Sequence, residues 1–445
     1  MKKPERPPIE GTFAAGQRKT TAILQDKKVL IELGKIEREY LYWDKFKYKV
    51  KHLKADPETI WRLVKLQRER NMSRLNLSDS TDFHFKYNIS GMTLKRLHEF
   101  DMNMGGVLEG GSIIPHDDRE RYLISSLMEE AIASSQLEGA ATTREVAKAM
   151  LRARRKPANP SERMIVNNYL TIKEIIKLKA SVLTPDLIRS IHGTISRGTL
   201  EKPEYEGSYR KSNEVKVVDQ DGEIFYDPPH HDRLPELMDR LCKFANGRSD
   251  EEFIHPIIRG IILHFLVGYI HPFVDGNGRT ARAIFYWYLI SRGYWLVEFL
   301  SISRIIVRSP GQYARAYLYT EYDENDLTYF IDFNLKSMEI ALNDLKKYIR
   351  VKIRKKRDLQ RILKHEDVNE RQAEIINQFL DDPDRLLAIN EIQNRFGTSY
   401  QTARTDLMHL EKIGYLESKL SGKKLLFFKS SKFEAKIRKI EQHNN

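Results

Sequence analysis

The chain has 445 residues, of which 41% are hydrophobic and 10% aromatic, and its formal net charge is +13. This composition predicts a globular protein of two or three domains. A single cysteine, Cys242, excludes an internal disulfide framework and a cysteine-based zinc site. No apolar run approaches the length of a membrane span, and no apolar segment follows the charged, proline-rich start, so we expect a cytoplasmic protein. The basic charge indicates acidic partners without identifying them.

Residues 1–114 are predicted to form an N-terminal helical region. The first 25 residues are basic and polar, and helical patterns follow from Leu30 and again over 57–72. Between them lies an aromatic cluster at 42–48, which we interpret as core. Glycine pairs at 105–106 and 110–111 bracket a loop, so we place a boundary near residue 114.

A helix over 117–137 opens the next domain, which we expect to extend over 115–345. Gly139 is suited to end this helix, and Thr142 with Glu145 predicts a capping box for the next one. On this pattern alone, Glu138 is the last charge of an amphipathic helix. Further helices are predicted over 161–177 and 184–197.

The sequence period then changes from helical to alternating. Residues 215–218, a turn over 219–222 and residues 224–226 together predict a β-hairpin within a segment that spans about 207–227. Such an insertion into a helical domain can be decoration, but long insertions in compact domains are often functional.

The stretch 271–282 reads His-Pro-Phe-Val-Asp-Gly-Asn-Gly-Arg-Thr-Ala-Arg and lies between two apolar helical runs. Gly276 and Gly278 let the backbone approach an anion closely, and a helix beginning near Gly278 directs free N–H groups toward it. Arg279 and Arg282 are three residues apart, so they share a helix face and can reach one polyphosphate.

Two further residues of this stretch predict chemistry. Asp275 is suited to hold Mg²⁺ together with substrate phosphates. His271 is a candidate base for a hydroxyl that attacks phosphorus. The alternative is a capped helix start with a core histidine and solvated arginines, but the joint occurrence of these residues favours a functional site.

The same stretch resembles the signature of the Fic family, His-Pro-Phe-x-Asp/Glu-Gly-Asn-Gly-Arg-x-x-Arg, at every specified position. The resemblance implies a helical Fic-type core, ATP as substrate, Mg²⁺, and transfer of AMP to a protein hydroxyl. Doc-type relatives, which act as kinases, replace the Gly-Asn-Gly turn, so the intact turn favours AMP transfer. By resemblance His271 is catalytic, Asp275 holds the metal, and ATP is bound by Gly276, Asn277, Gly278, Arg279 and Arg282.

The resemblance also gives Glu138 a second interpretation. Ser134, Glu138 and Gly139 match the family's inhibitory pattern, Ser/Thr-x-x-x-Glu-Gly/Asn, on a helix at about 118–139. It implies that Glu138 pairs with Arg282 and so removes one clamp from the γ-phosphate.

The hairpin is similar to the flap of Fic proteins, which aligns an extended target segment by strand pairing. We expect Val215 and Lys216 to dock the target and Val217 and Val218 to line the nucleotide pocket. The family also has a tyrosine near the adenine, for which Tyr313 and Tyr317 are the candidates; core packing is an equally weighted alternative.

A basic segment over 346–365 predicts a linker helix. Residues 366–432 then give helix, turn, helix and two short strands, which resemble a winged-helix domain, and 433–445 is a predicted tail. The domain could bind DNA or another protein. The candidate DNA contacts are Ser399, Gln401, Thr402, Arg404 and Lys423, although Asp406, Glu411 and Glu417 dilute the positive face.

The predicted fold class is therefore mainly α, with a Fic-type helical core, a β-hairpin flap and a C-terminal winged helix-turn-helix domain. The predicted function is an autoinhibited adenylyltransferase that acts on a Ser, Thr or Tyr hydroxyl of a target protein, itself included. The alternative is a DNA-binding transcription regulator in which the Fic fold senses nucleotides, but a sensor would not need the His271 base. A homodimer is left open.

Overall fold

A computed structural model of the chain describes residues 3–8, 26–53, 56–76, 84–105, 119–218, 224–247, 253–382, 385–421 and 424–442. The chain divides into two compact units, Met1–Leu345 and Lys346–Asn445. Helices dominate the described residues, with three sheets of two or three strands. The mainly α prediction is confirmed. None of the described helices is long and apolar enough to cross a membrane.

The first unit begins with four helices and a two-stranded sheet: α1 Lys27–Glu37, α2 Trp43–Lys49, α3 Pro57–Arg70, β1 Ser73–Asn76, β2 His84–Tyr87 and α4 Gly91–Met104. Asp26 and Asp56 cap α1 and α3 by accepting hydrogen bonds from backbone N–H groups of the first turn. Most of the predicted aromatic cluster is buried, but Tyr48 is exposed. Tyr42 stacks on Tyr319 with ring centroids 3.9 Å apart. Because its aromatic core is shared with residues beyond 300, this region belongs to the same compact unit as the predicted catalytic domain.

The remainder of the first unit packs around two central helices. Its elements are α5 Arg119–Leu137, α6 Arg144–Ala153, α7 Pro160–Lys177, α8 Pro185–Ser196, β3 Val217–Val218, β4 Ile224–Tyr226, α9 Leu234–Ala245, α10 Pro256–Ile270, α11 Asn277–Ser291, α12 Ile302–Val307 and α13 Pro310–Tyr322. Both α10 and α11 are buried on nearly all sides, as expected for core helices rather than surface helices. The loop 271–276 that joins them is therefore anchored at both ends in the core.

Helix capping follows the predictions in most places. Gly139 adopts φ of +91° just after α5, and the Thr184 side chain accepts a hydrogen bond from the Leu187 N–H at the start of α8. The predicted capping box of α6 is wrong by one residue. Thr143, not Thr142, is its N-cap and accepts from the N–H of Val146, since that hydroxyl lies within reach of the first turn.

The flap hairpin is shorter than predicted. Val217 pairs with Tyr226 and Val218 with Ile224, with a register irregularity between the two pairs. Val215 and Lys216 lie outside the strand, so the prediction that they form part of a strand edge is wrong. The Lys216 ammonium instead forms an ion pair with Asp227 across the base of the hairpin. The predicted turn at 219–222 lies outside the described residues.

Helix α14, Thr328–His365, is continuous, so the predicted linker at 346–365 is the second part of a longer helix. The second unit continues with α15 Glu370–Asp381, β5 Leu387–Ala388, α16 Ile389–Phe396, α17 Tyr400–Lys412, β6 Leu416–Ser421, β7 Lys424–Lys429 and α18 Phe433–Gln442. Its sheet has the order β5-β7-β6. This order of helices and strands is compatible with the predicted helix-turn-helix and hairpin wing. The predicted tail at 433–445 is wrong for α18, because Phe433 is fully buried in the core of this unit.

Asp406 of α17 ties this helix to the start of α15. Its carboxylate is buried and accepts hydrogen bonds from Asn369 Nδ2 at 3.0 Å, Arg371 Nε at 2.8 Å and Gln372 Nε2 at 2.9 Å. We expect Asp406→Ala to lower the free energy of unfolding by about 2–3 kcal/mol, because it leaves three donors without their acceptor. Urea unfolding measures this, with exposed Asp367→Ala as control. Equal midpoints for both variants would contradict the assigned role.

Candidate active site

The loop between α10 and α11 begins with a residue in a left-handed conformation. His271 has φ of +49°, which is uncommon outside glycine and is held by its surroundings. Arg210 supplies this support: its Nε donates to the His271 carbonyl at 3.0 Å and its N–H to the Pro272 carbonyl at 2.9 Å. Arg210 is itself buried. The sequence contains Arg210 next to the hairpin, but nothing in its spacing predicts this contact.

The His271 ring is fixed in one tautomer. Nδ1 lies 3.1 Å from the Gly268 carbonyl, which can only accept, so Nδ1 carries the proton and Nε2 carries the lone pair. Burial lowers the pKa of His271 below its ordinary value. The imidazole is therefore neutral near pH 7, with Nε2 free to accept a proton.

Asn277 and the two glycines shape the start of α11. The Asn277 amide accepts from the Phe273 N–H at 2.9 Å and donates to the Phe273 carbonyl at 2.9 Å, so both of its polar atoms are used inside the loop. Gly276 is the N-cap, with φ of +82°. A side chain on Gly278 would meet the Glu138 carboxylate, since a Cβ there would lie 2.2 Å from Glu138 Oε1. The glycine thus leaves a space at the helix N-terminus that an anion occupies.

Arg282 is bound by the end of α5. Its Nε donates to Ser134 Oγ at 2.8 Å, and its Nη2 donates to the Ser134 carbonyl at 2.9 Å and to Glu138 Oε1 at 2.8 Å. Burial by itself lowers the pKa of the guanidinium, but the nearby Glu138 charge outweighs this and raises the pKa above its ordinary value. The pairing of Glu138 with Arg282 expected from the sequence is present in the structure, together with a Ser134 contact that the sequence did not specify.

Asp275 and Arg279 form a second charged group. Asp275 Oδ1 accepts from the Gly276 N–H at 2.6 Å, and Oδ2 lies 3.4 Å from Arg279 Nη2. The Asp275 side chain is 57% exposed, whereas that of Arg279 is fully buried. An accessible carboxylate beside an anion-binding helix start fits Mg²⁺, which favours oxygen ligands and keeps several waters.

His192 is a supporting residue that the sequence analysis missed. Its ring stacks on Phe273 with centroids 3.7 Å apart. Nδ1 accepts from the Gly207 N–H at 3.0 Å, and Nε2 donates to the Asp275 carbonyl at 2.8 Å. It therefore joins the segment leading into the flap to the loop. A histidine in the middle of a predicted helix gives no signal of this role.

Burial lowers the pKa of His192 from about 6.5 to about 4, so between these pH values the folded state binds fewer protons than the unfolded state. The free energy of unfolding should therefore fall as the pH falls from about 6.5 to about 4. The contribution of this residue is about 3 kcal/mol. We expect His192→Gln to show a correspondingly shallower fall in urea titrations at several pH values. Parallel curves for the variant and the wild type would contradict the assignment.

Tyr313 and Tyr317 pack at the back of the site. The Tyr313 hydroxyl lies 2.9 Å from His264 Nε2, and the Tyr317 ring stacks on Phe265 at 5.0 Å. His264 is fully buried, in keeping with the structural role the sequence suggested. Both tyrosines are partly exposed. Packing contacts cover most of each side chain, as the core-packing alternative predicts, and the remainder is accessible to a ligand.

The flap lies against the end of α10. The Tyr226 ring of β4 is 4.9 Å from the ring of Tyr269, two residues before His271. Val217 is partly buried and Val218 is exposed. The hairpin is therefore adjacent to the catalytic loop, and Val218 presents an accessible side chain.

Among the candidate DNA contacts, Ser399 and Thr402 form the cap of α17, whereas Gln401 and Arg404 have exposed side chains. Ser399 caps α17 by accepting from the Thr402 N–H at 3.0 Å, and the two hydroxyls lie 2.8 Å apart. Gln401 and Arg404 are exposed, and Lys423 lies outside the described residues.

Asp406 is buried and does not dilute the positive face, so that prediction is wrong for this residue. The carboxylates of Glu411 and Glu417 accept backbone N–H groups, from Ser418 and Ser431 respectively.

Residues 182–289 match the model of the Fic/DOC family. The chain is 28% identical over 183 residues to a protein adenylyltransferase Fic of Nematostella vectensis, covering 39% of this chain and 40% of that protein. It is 32% identical over 126 residues to the corresponding protein of Drosophila mojavensis, covering 28% of this chain and 20% of that protein. The chain thus spans less than half the length of these relatives.

Solved structures are also similar to this chain. A Fic family protein from Desulfovibrio desulfuricans G20 has 21% identity and a TM-score of 0.47, covering 76% of this chain and 94% of that one. Fic-1 from C. elegans has 15% identity and a TM-score of 0.47, covering 77% and 94%.

Proposed function

We propose that this chain, whose residues 182–289 match the model of the Fic/DOC family, transfers AMP from ATP to a Ser, Thr or Tyr hydroxyl of a protein, itself included. The observation that carries the proposal is the carboxylate of Glu138, bonded to Arg282 and lying over Gly278. A glycine-rich helix start with a buried arginine is built to receive an anion. Glu138 is the internal anion that holds this place, and a nucleotide phosphate is the external one that would replace it.

The reaction is a substitution at the α-phosphorus. The target oxygen forms a bond to phosphorus, the bond from phosphorus to the bridging oxygen breaks, and pyrophosphate leaves. The hydroxyl proton goes to Nε2 of His271, which carries a lone pair because Nδ1 is bonded to the Gly268 carbonyl. Arg282 stabilises the phosphate charge once Glu138 has moved away.

The remaining residues bind and orient the reactants. Asp275 would hold Mg²⁺, which supplies charge neutralisation on the phosphates. Gly276, Asn277, Gly278 and Arg279 shape the phosphate site. Val217, Val218, Tyr313 and Tyr317 are the proposed contacts to the rest of the nucleotide. Because Val215 and Lys216 lie outside the strand, we propose target pairing along Val217 and Val218.

Intact-mass spectrometry of the purified chain after incubation with ATP and Mg²⁺ tests the reaction type. Because the wild-type chain is restrained by Glu138, the Glu138→Gly variant is incubated in parallel. A mass gain of one AMP on the variant supports adenylyl transfer. A gain of one phosphate would instead indicate a kinase. If neither protein gains mass, both are incubated with a cell extract and labelled ATP, and no labelling of extract proteins would argue for a nucleotide sensor.

A second activity is proposed for the winged helix. The exposed Gln401 and Arg404 at the start of α17 favour contact with DNA bases and phosphates. Gel shifts of duplex DNA across a salt series test this, since phosphate contacts make affinity fall steeply with salt. Absence of binding at low salt would leave protein interaction as the role of this unit.

A further inference from the structure

We propose a binding site for a first-row transition metal ion of the Zn²⁺ type, formed by His230, His231 and Asp232. These residues follow β4 and lie at the base of the flap, apart from the phosphate site. Their side chains carry two imidazole nitrogens and a carboxylate, which together suit zinc, nickel or copper rather than magnesium. The site adds a function that AMP transfer itself does not require.

The ligand atoms already have the spacing of a metal site. Nδ1 of His230 lies 3.2 Å from Oδ2 of Asp232, and Nε2 of His231 lies 3.1 Å from Oδ1 of the same carboxylate. One ligand atom from each residue can be chosen so that all lie within 4.8 Å of one another. In a tetrahedral site with bonds of about 2.0–2.2 Å, neighbouring ligand atoms are about 3.3–3.6 Å apart. The His230 Nδ1 also accepts from the backbone N–H of Asp232 at 3.4 Å, a long contact that a metal ion would replace.

The Nε2 of His231 and a carboxylate oxygen of Asp232 face each other at 3.1 Å. Asn213 Oδ1 accepts from the His231 N–H at 2.9 Å and from Arg210 Nη1 at 3.3 Å, and both of these groups can only donate. The His231 Nδ1 lies 3.2 Å from the same oxygen, so this nitrogen is the protonated one. In the neutral ring Nε2 then presents a lone pair to a carboxylate oxygen. Two acceptors at 3.1 Å repel each other unless a second proton or a metal ion lies between them.

The contact from His231 to Asn213 is also the kind of support that metal-bound histidines have. A ligating imidazole usually donates its second N–H to an oxygen, which fixes the ring orientation and makes the ligand more basic. The side chains remain accessible, 54% exposed for His230 and 75% for Asp232, so water can complete the coordination. This differs from Asp275, a single carboxylate suited to Mg²⁺.

The position of the site suggests what a bound ion would do. Asn213 Oδ1 accepts from His231 and from Arg210, and Arg210 also donates to the carbonyl of His271, so a chain of three hydrogen bonds connects His231 with the catalytic loop. A metal ion would hold His231, and therefore Asn213, in one orientation at the end of the flap. We infer that zinc rigidifies the connection between the flap and His271.

Isothermal titration of ZnCl₂ into the full chain, purified without a histidine tag, tests the site. We expect one zinc ion per chain, with binding weakened at least about tenfold in His231→Ala and in Asp232→Asn, a loss of about 1.4 kcal/mol. His98→Ala, which removes an exposed histidine of α4, is the matched control and should bind as the wild type does. Excess Mg²⁺ should not displace the zinc ion.

Unchanged affinity in both site variants, or no zinc binding by the wild type, would overturn the proposal and leave a second proton as the cation between His231 and Asp232. Thermal unfolding in the presence of a chelator shows whether the variants are folded. If they are not, electron paramagnetic resonance of Cu²⁺ on the wild type decides: coupling to two nitrogens supports the site, and its absence contradicts it. Both measurements are independent of AMP transfer.

Discussion

Replacing Glu138 by glycine is expected to raise AMP transfer by at least about tenfold, equivalent to about 1.4 kcal/mol. The variant removes the carboxylate that binds Arg282 Nη2 at 2.8 Å and lies over Gly278. It frees the guanidinium and the helix N-terminus for the nucleotide and removes a negative charge that repels it. Transfer of label from ATP labelled at the α-phosphorus, onto the chain itself or onto added proteins, measures the effect.

A matched control separates the carboxylate from a general loosening by glycine. Glu201 is exposed and lies outside the helices, so Glu201→Gly should label as the wild type does. Glu138→Gln is a second comparison, because it keeps the size of the side chain and removes only the charge. Equal labelling by Glu138→Gly and wild type would show that Glu138 does not inhibit transfer.

Replacing His271 by alanine in the Glu138→Gly background is expected to lower AMP transfer by about 10²–10⁴-fold. The variant loses the Nε2 lone pair that would accept the proton. His192, the other described histidine that contacts this loop, uses both of its ring nitrogens in hydrogen bonds and cannot replace it. ATP binding should persist, because Arg282 and the helix start are unchanged. Labelled transfer and equilibrium binding of ATP, measured on the same preparations, distinguish a lost base from a lost binding site.

His98→Ala in the same background should leave transfer unchanged. Transfer within about twofold of the parent in the His271 variant would show that another group takes the proton. A parallel loss of ATP binding would show that His271 supports the loop rather than the reaction. Because burial lowers the pKa of His271, transfer should hold its plateau until the pH falls below the ordinary range of histidine.

The sequence predicted the parts of the site that lie close together in the chain. Within 271–282 the glycines, the asparagine and the arginines occur at spacings that a single turn and helix start impose, so a pattern reveals them. Glu138 was found because its pattern accompanies the stronger motif, and the structure places its carboxylate 2.8 Å from Arg282. Because the two residues are 144 positions apart, hydrophobic periodicity alone could not have predicted their contact.

Residues that support the site from other elements were not predictable. Arg210 reaches the carbonyls of His271 and Pro272 through a tertiary contact, and His192 is distinguished only by its stacking on Phe273. The flap register was also missed, because a two-residue strand with an irregular pairing leaves almost no alternation to detect. Phe433 looked like part of a tail since a single apolar residue among charges does not reveal that it is buried.

In the proposed reaction, the end of α5 would set a threshold in ATP concentration. Ser134 and Glu138 both hold Arg282 and belong to the same turn, whose backbone is closed by the hydrogen bond from the Glu138 N–H to the Ser135 carbonyl at 3.1 Å. ATP would have to compete with the tethered Glu138 carboxylate, so its apparent affinity would be reduced by the fraction of chains in which this turn is open. Small changes in the stability of one helical turn would therefore shift the cellular ATP level at which the protein becomes active.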